Sequence, residues 1–392
     1  MNALKGNAQL RKKNIRLLLS TVKRYGPVSR RELEALTGLS RGTVSVLTNE
    51  LGKNGYIEIS DKQAVEVGRR PETLDINGHD HLIVGVTIKT NVLMAVVTDL
   101  KGRMLFRRLK KHNEPTYEYV RETLFAMLDE IMADFRGRVE AISIAVQGVV
   151  DVENEVSVRI ERIAGWRNVP LKDMTEKRYR VPAFVIHNTT CLLKAEEVIG
   201  ESGLDRAKNA FFISAGESGI GMAVKINGEA YIGGNGHAGD LGQTRVSSKF
   251  HPERAELEEH ISPPGLMEDY KEATGADELI SLDELLRLGR DGDETALAVL
   301  ANAGNCLGQA LYNAAQLFDP DLLVLNGYIC EFPVQFAETV ERYVGVRSKE
   351  NYMELAMSAL VEEEATAQGV ALLVADKLIA GDMLFLGDDS DM

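Results

Sequence analysis

The chain has 392 residues, 44% hydrophobic and 27% charged, with 45 Lys/Arg against 59 Asp/Glu and a formal net charge of −14. That length suits two or three domains of an ordinary globular protein. No apolar run approaches the roughly 18 residues of a membrane span, and "MNALKGNAQLRKKN" lacks the apolar core of a secretory signal. The three cysteines (Cys191, Cys306, Cys330) are far apart, which argues against a disulfide framework or a Cys-rich metal site; a cytoplasmic location is expected.

The charge is unevenly placed. Residues 1–56 hold 11 basic side chains against Glu32, Glu34 and Glu50, and residues 1–80 balance to +5. The remaining 312 residues balance to −19. Such asymmetry points to a nucleic-acid-binding arm on a body with another task.

Apolar spacing predicts three short helices in the arm. Ile15, Leu18, Leu19 and Val22 form one face of the first, which stops at Gly26-Pro27. "SRRE" has capping-box spacing, so Ser29 and Glu32 start the second helix, with Leu33 and Leu36 facing its core. Ser40 is the predicted N-cap of the third, whose inner side is Val44, Leu47 and Leu51. Arg41, Thr43 and Ser45, together with Thr48 and Asn49, are expected on or near the outer side. This is a helix-turn-helix pattern whose second helix reads the major groove through its N-terminal residues; a three-helix protein-interaction bundle is the bland alternative. "YIEIS" and "ETLDI" read as strands flanking a wing that carries "GRRP", where Arg69 and Arg70 are placed to enter a minor groove or grip phosphates. The expected DNA contacts are Arg30, Ser40, Arg41, Thr43, Ser45, Arg69 and Arg70.

From residue 82 strands alternate with helices. "LIVGVTI" and "VLMAVVTDLKGRMLFRRL" read as consecutive strands, "YEYVRETLFAMLDEIMADF" as a long helix and "AISIAV" as a buried strand. "PAFVI", a helix over 191–200, "AFFIS", "GIGMAVKINGEAYIGG", a helix over about 294–317 and "LLVLN" follow. The alternation predicts an α/β body of two lobes.

The segments "GPVSRRELEALTGLSRGTVS", "GRRP", "GWRNVPL", "GIGMAVKINGEAYIGGNGHAGDLGQ" and "LFDPDLLVLNG" together resemble the ROK family (repressors, open reading frames and sugar kinases). The resemblance reaches to about residue 380. It implies an N-terminal winged helix-turn-helix over 1–78, then a two-lobed actin-like (ribonuclease H-like) sugar-kinase fold over 79–382 for effector binding and oligomerisation. Residues 383–392 read as an acidic tail. Family repressors bind an operator as homodimers or homotetramers, and a sugar in the cleft alters DNA affinity.

The kinase motifs of that family are altered. Thr87 stands where its kinases have an Asp, and Lys89, Thr90 and Asn91 replace the Gly-Gly-Thr of the phosphate turn, although Lys89 alone is able to attract an anion. In "IHNTTC", Asn188 is kept but Thr189 takes the place of the catalytic Asp, and a Thr hydroxyl is no general base near neutral pH. Asn326-Gly327 replaces a late Gly-Gly. No catalytic residue and no cofactor are expected, and the chain reads as a non-enzyme; a bifunctional sugar kinase with a DNA arm and a ligand-independent regulator are the alternatives.

Zinc-containing members place a His and three Cys in one loop. Here Gln243 holds the His position and the loop has no Cys. His237, His251 and His260 have no recognised metal-ligand spacing and read as lone surface or cleft histidines, so no metal is expected. By resemblance the sugar contacts fall on Gly148, Asn188, Asp240 and Glu258; carboxylates and an amide suit vicinal hydroxyls. Gly219 and Gly221 in "SGIG" read as tight strand turns. Trp166 reads as a buried anchor, and the methionines as core filler. The expected partners are a double-stranded DNA operator, a sugar or sugar-like effector, and further copies of the chain, with no membrane.

Overall fold

A computed structural model of the chain describes residues 2–60, 72–113, 115–151, 153–160, 162–216, 219–234, 236, 238–345 and 353–380. The wing arginines Arg69 and Arg70, His237 and the acidic tail lie outside the described residues. The chain divides into two units, Met1–Gly148 with Glu155–Ile186 and Ala367–Met392, and Val149–Asn154 with His187–Thr366.

The first unit opens with α1 (Asn2–Tyr25), β1 (Val28–Ser29), α2 (Arg30–Thr37), α3 (Arg41–Lys53), β2 (Ile57–Ser60) and β3 (Thr73–Ile76), the strands ordered β1-β3-β2. Ile15, Leu18, Leu19 and Val22 of α1 meet Leu33 of α2 and Val44, Leu47 and Leu51 of α3 in one core. Ser29 forms the capping box with Glu32, its backbone N–H donating to Glu32 Oε2 at 2.8 Å. The bonds from Ser29 hold the Glu32 carboxyl below the usual range. Two expectations fail. Leu36 is 50% exposed, because the inward stripe of this eight-residue helix runs through Arg30, Leu33 and Thr37 and leaves Leu36 on its flank. Thr48 is buried: it lies between Val44 and Leu51 on the inner side, and its hydroxyl donates to the Val44 carbonyl at 2.8 Å.

Next in chain order come β4 (Leu82–Ile88), β5 (Val92–Asp99), β6 (Met104–Lys111), α4 (Tyr117–Asp134), β7 (Val139–Val146), β8 (Val149–Asp151, counted with the second unit), β9 (Val156–Arg159), α5 (Leu171–Tyr179) and β10 (Ala183–His187). The five-stranded sheet has the order β10-β7-β4-β5-β6, with β4 antiparallel to β5 and parallel to β7. β4 and β5 are buried along their whole length, as continuous apolar strands of a sheet covered on both faces should be. Trp166 is 2% exposed and donates its indole N–H to Ser157 Oγ at 2.8 Å, the anchor expected of it.

The second unit contains α6 (Asn188–Ile199), β11 (Ala210–Gly216), β12 (Gly219–Ile226), β13 (Glu229–Tyr231), a 3-10 turn at Leu241–Gln243, α7 (Leu257–Ile261), α8 (Pro263–Thr274), α9 (Leu282–Asp291), α10 (Glu294–Phe318), β14 (Leu322–Gly327), α11 (Val334–Val344), β15 (Glu354–Met357) and the start of α12 (Glu362–Ala380). Its sheet is ordered β13-β12-β11-β14-β15. One core lies among α7–α11, and a smaller one joins α6 to Phe212 and Val324. α6 starts three residues before the expected helix, because polar Asn188-Thr189-Thr190 precede its apolar pattern.

α12 finishes in the first unit. Ala371, Val374, Ala375, Leu378 and Ile379 join the same core as Ile15, Leu18 and Val22, and Lys23 meets Asp376 at 2.5 Å. The helix-turn-helix therefore shares its interior with the first lobe. Among the described residues no helix is long and apolar enough to cross a membrane.

Candidate functional site

Ser40 caps α3, its Oγ accepting from the Thr43 N–H at 3.3 Å and lying 2.9 Å from Thr43 Oγ1. Arg41 is exposed and Ser45 half-buried, so these four expected contacts gather at the first two turns of α3. Arg30 is built differently. Its guanidinium bridges Thr48 Oγ1 at 3.1 Å, Asn49 Oδ1 at 3.2 Å and Glu72 at 3.1 Å, tying α2 to α3 and to the stem of the wing.

The base of this module is fastened to the first lobe. His81 stacks on Tyr56, with centroids 3.8 Å apart and planes 7° from parallel. Its Nδ1 lies 2.6 Å from Glu140 and its Nε2 2.7 Å from the Asn54 carbonyl. Burial disfavours the charged ring, yet two facing acceptors outweigh it and raise the pKa; an imidazolium donates to both. Lys101 adds an ion pair to Asp75 at 2.5 Å and a bond to the Gly26 carbonyl at 3.1 Å.

In the first unit Gly148 has φ +93°, and a Cβ there would run into the Arg159 carbonyl. Only glycine suits a turn that is both left-handed and closely approached. In the second unit Asn188, buried, is the first residue of α6. Beside it, Thr189 Oγ1 lies 2.9 Å from His187 Nδ1, and its methyl faces Gly221 of β12. On the same face of β12, two residues earlier, Gly219 has φ +131° and leaves room for the Glu258 carboxylate; a Cβ at Gly242 would come 2.7 Å from Glu258 Oε2. Asp240, exposed, precedes that 3-10 turn, which is fixed to β12 by the Met222 N–H donating to the Gly239 carbonyl at 2.9 Å. Thus β12 brings Asn188, Asp240 and Glu258 to one region. Gly219 does stand at a tight strand turn, where β11 passes into β12 with Gly216 opposite it, and it also clears Glu258, whereas Gly221 clears Thr189. Tyr328 is the residue the sequence did not offer: its hydroxyl donates to the Ile261 carbonyl at 2.7 Å. Burial, then Glu258 and Glu362, push its pKa up.

The phosphate-turn positions are filled. Thr87 is fully buried, and its hydroxyl finds no partner among the described residues. Lys89 is only 3% exposed, and the Thr90 N–H donates to Gln147 at 3.4 Å. Asn326 is drawn into a structural network: its Nδ2 donates to Ser358 Oγ at 3.1 Å and to the Leu360 carbonyl at 2.9 Å. Ser358 in turn donates to the buried Glu196 at 2.6 Å.

The loop that carries zinc in other members is held here by ions and amides. Arg254 Nη1 meets the buried Asp269 at 2.6 Å, and His251 Nε2 meets the same oxygen at 3.1 Å. The His260 ring donates to the Arg254 carbonyl at 3.2 Å. Gln309 clamps both the N–H and the carbonyl of Ser247, at 3.1 and 2.9 Å. His251 and His260 are therefore buried rather than lone surface or cleft residues; the sequence did not show this because Asp269, the partner of His251, lies 18 residues further along the chain. Burial raises the pKa of Asp269 against the pull of His251, Arg254 and His260. Among the described residues no group of three or more His, Cys, Asp or Glu side chains is arranged to hold a metal ion.

Known proteins share this organisation. The chain is 26% identical to the xylose repressor of Bacillus subtilis (strain 168) over 381 residues, covering 94% of this chain and 97% of the relative. It is 23% identical to the DNA-binding transcriptional dual regulator NagC of Escherichia coli (strain K12) over 359 residues, 88% of this chain and 87% of the relative. The crystal structure of a ROK family transcriptional regulator, a homolog of the E. coli MLC protein, superposes with a TM-score of 0.80 at 21% identity, covering 95% and 98% of the two chains. A ROK family glucokinase from Streptomyces griseus, in complex with glucose and AMPPNP, superposes at 0.62 and 22% identity over 74% of this chain and 98% of the kinase. Residues 83–377 match the ROK family, and the chain belongs to that family.

Proposed function

We propose that this protein is a DNA-binding transcriptional regulator, by default a repressor, whose operator affinity is set by a sugar or sugar-like effector. Residues 1–78 make the DNA contacts, with Ser40, Arg41, Thr43 and Ser45 on α3, Arg69 and Arg70 in the wing, and Arg30 also within reach of phosphate. Residues 79–382 bind effector and oligomerise, as a homodimer or homotetramer that spaces two reading helices for a pseudo-palindromic operator. The acidic tail, 383–392, stays outside both tasks. The protein acts in the cytoplasm.

The observation that carries the reading is the contrast within one chain between a Glu258 carboxylate given room by Gly219 and Gly242 and a phosphate turn occupied by the buried Lys89. The first suits sugar hydroxyls, with Gly148, Asn188 and Asp240 completing the contacts. The second leaves backbone amides no access to ATP phosphates, and Thr189 offers no base, so the cleft senses sugar without phosphorylating it. Relatives named xylose repressor and DNA-binding transcriptional dual regulator support the same assignment. Coupling requires the effector to prefer one conformation of the protein.

The test is a thermal-shift panel of D-xylose, glucose, N-acetylglucosamine and their phosphates, with and without Mg-ATP. Binding to the native state raises Tm by mass action. A sugar hit that Asn188→Ala or Asp240→Ala abolishes supports the sensor. ATP-dependent formation of a sugar phosphate would replace it with the kinase; neither the parent nor Thr189→Asp is expected to form any.

A further inference from the structure

Val46 is 64% exposed. Helical geometry places it, with Gly42, Asn49 and Lys53, opposite the buried side of α3 formed by Val44, Leu47, Thr48 and Leu51. An isolated apolar side chain on a surface needs no explanation by itself. Two observations set this one apart. The polar residues beside it are engaged elsewhere in the fold: Glu50 pairs with Arg11 at 2.6 Å, and Asn49 Oδ1 accepts from Arg30. One turn before Val46, Gly42 is the second residue of α3, a helical position where alanine is the better helix former. Among the described residues nothing asks for it, since a Cβ there would meet only Ser40 Oγ, at 4.0 Å. A glycine that the described fold does not need, on the outward face of a helix within residues 1–56, which hold 11 basic and three acidic side chains, fits a polyanion that approaches the helix closely.

The apolar group offered by a major groove is the thymine 5-methyl. We infer that Val46 reads a thymine methyl in each operator half-site, and that Gly42 lets the first turn of α3 come close enough for it to do so. The inference rests on the DNA-binding reading above and adds a base identity to it. Arg41, Thr43 and Ser45 then fix position and phosphates, and Val46 supplies discrimination at one base pair.

The full-length protein would be used to select a half-site from random duplex DNA, and each thymine of that half-site would then be replaced by deoxyuridine, which removes only the methyl. One replacement should weaken binding roughly five-fold, in keeping with a single base contact, and Val46→Ser should bind thymine and deoxyuridine equally there. Gly42→Ala should weaken binding to all sequences while raising Tm, opposite signs that a folding defect would not give. Equal binding of every thymine and deoxyuridine duplex by the parent, or unchanged methyl sensitivity in Val46→Ser, overturns the inference and leaves the DNA-binding reading standing. Selection of no consensus at all overturns both.

Discussion

The turn between β4 and β5 and the glycine-lined face of β12 are built in opposite ways. At the first, Lys89, Thr90 and Asn91 occupy the turn, with Lys89 buried. At the second, side chains are still withheld, Gly219, Gly221 and Gly242 keeping space for Glu258 and Thr189. Phosphate recognition by backbone amides needs an empty cradle, which bulky side chains work against. The hydroxyl recognition proposed above needs carboxylate and amide groups held still. On the function proposed above, this difference is what separates sensing from chemistry.

The sugar end stands only if the loop entering α7 is held, and that gives the largest expected effect. Arg254→Met would leave the buried Asp269 without its guanidinium partner, at a cost of about 3 kcal/mol near neutral pH, read as a fall in Tm. The pH dependence has a definite sign. Burial raises the pKa of Asp269, so its native state binds the proton more tightly than the unfolded chain does. The stabilising contribution is present below the unfolded pKa and is lost as pH rises through the raised native value. Removing Arg254 raises that value further, so the Tm gap between variant and parent should widen as pH rises from 4 to 7. A constant gap would show that Asp269 does not carry the effect. EDTA should leave the parent Tm unchanged.

Next in size is Glu258→Gln. The substitution keeps volume but removes charge-assisted acceptance from hydroxyls, worth about 1.5–3 kcal/mol per bond. Affinity for the sugar found by thermal shift should fall about ten-fold or more, with Tm of the free protein little changed, as calorimetry would report. Unaltered affinity would remove Glu258 from the site and break the contrast between the two regions.

Much of this was legible in the sequence. Capping at Ser29 and Ser40 depends on neighbours three residues away, and the apolar strands depend on local alternation, so both were readable. Asn188, Asp240 and Glu258 could be named only by resemblance. What stayed hidden depends on contacts between distant residues: Arg30 bridging to Glu72, and His251 and Arg254 converging on Asp269. The role of 362–380 was hidden too, since nothing local shows that its alanine-rich face completes the helix-turn-helix core. Gly219 and Gly221 were visible as glycines, but the side chains they make room for lie 39 and 32 residues away along the chain.

The finest test of the contrast concerns Gly221. A Cβ at this position would lie 3.0 Å from the Thr189 methyl, tighter than ordinary van der Waals contact, while its backbone lies in a β-strand outside the left-handed region. Two terms oppose. Alanine in a strand gains roughly 0.5–1 kcal/mol from reduced unfolded-state entropy, and the crowding of Thr189 costs a comparable amount. In the parent, Gly221→Ala should therefore shift stability by less than about 0.5 kcal/mol in denaturant titration. Thr189→Ser keeps the hydroxyl that faces His187 and deletes the methyl. In that background the crowding term vanishes, and the same Gly221→Ala change should stabilise by about 0.5–1 kcal/mol. The coupling, read from the double-mutant cycle, isolates the clearance from the backbone effect. A coupling near zero would mean that Gly221 is kept for something other than Thr189, with the ligand itself as the remaining neighbour able to require its bare backbone.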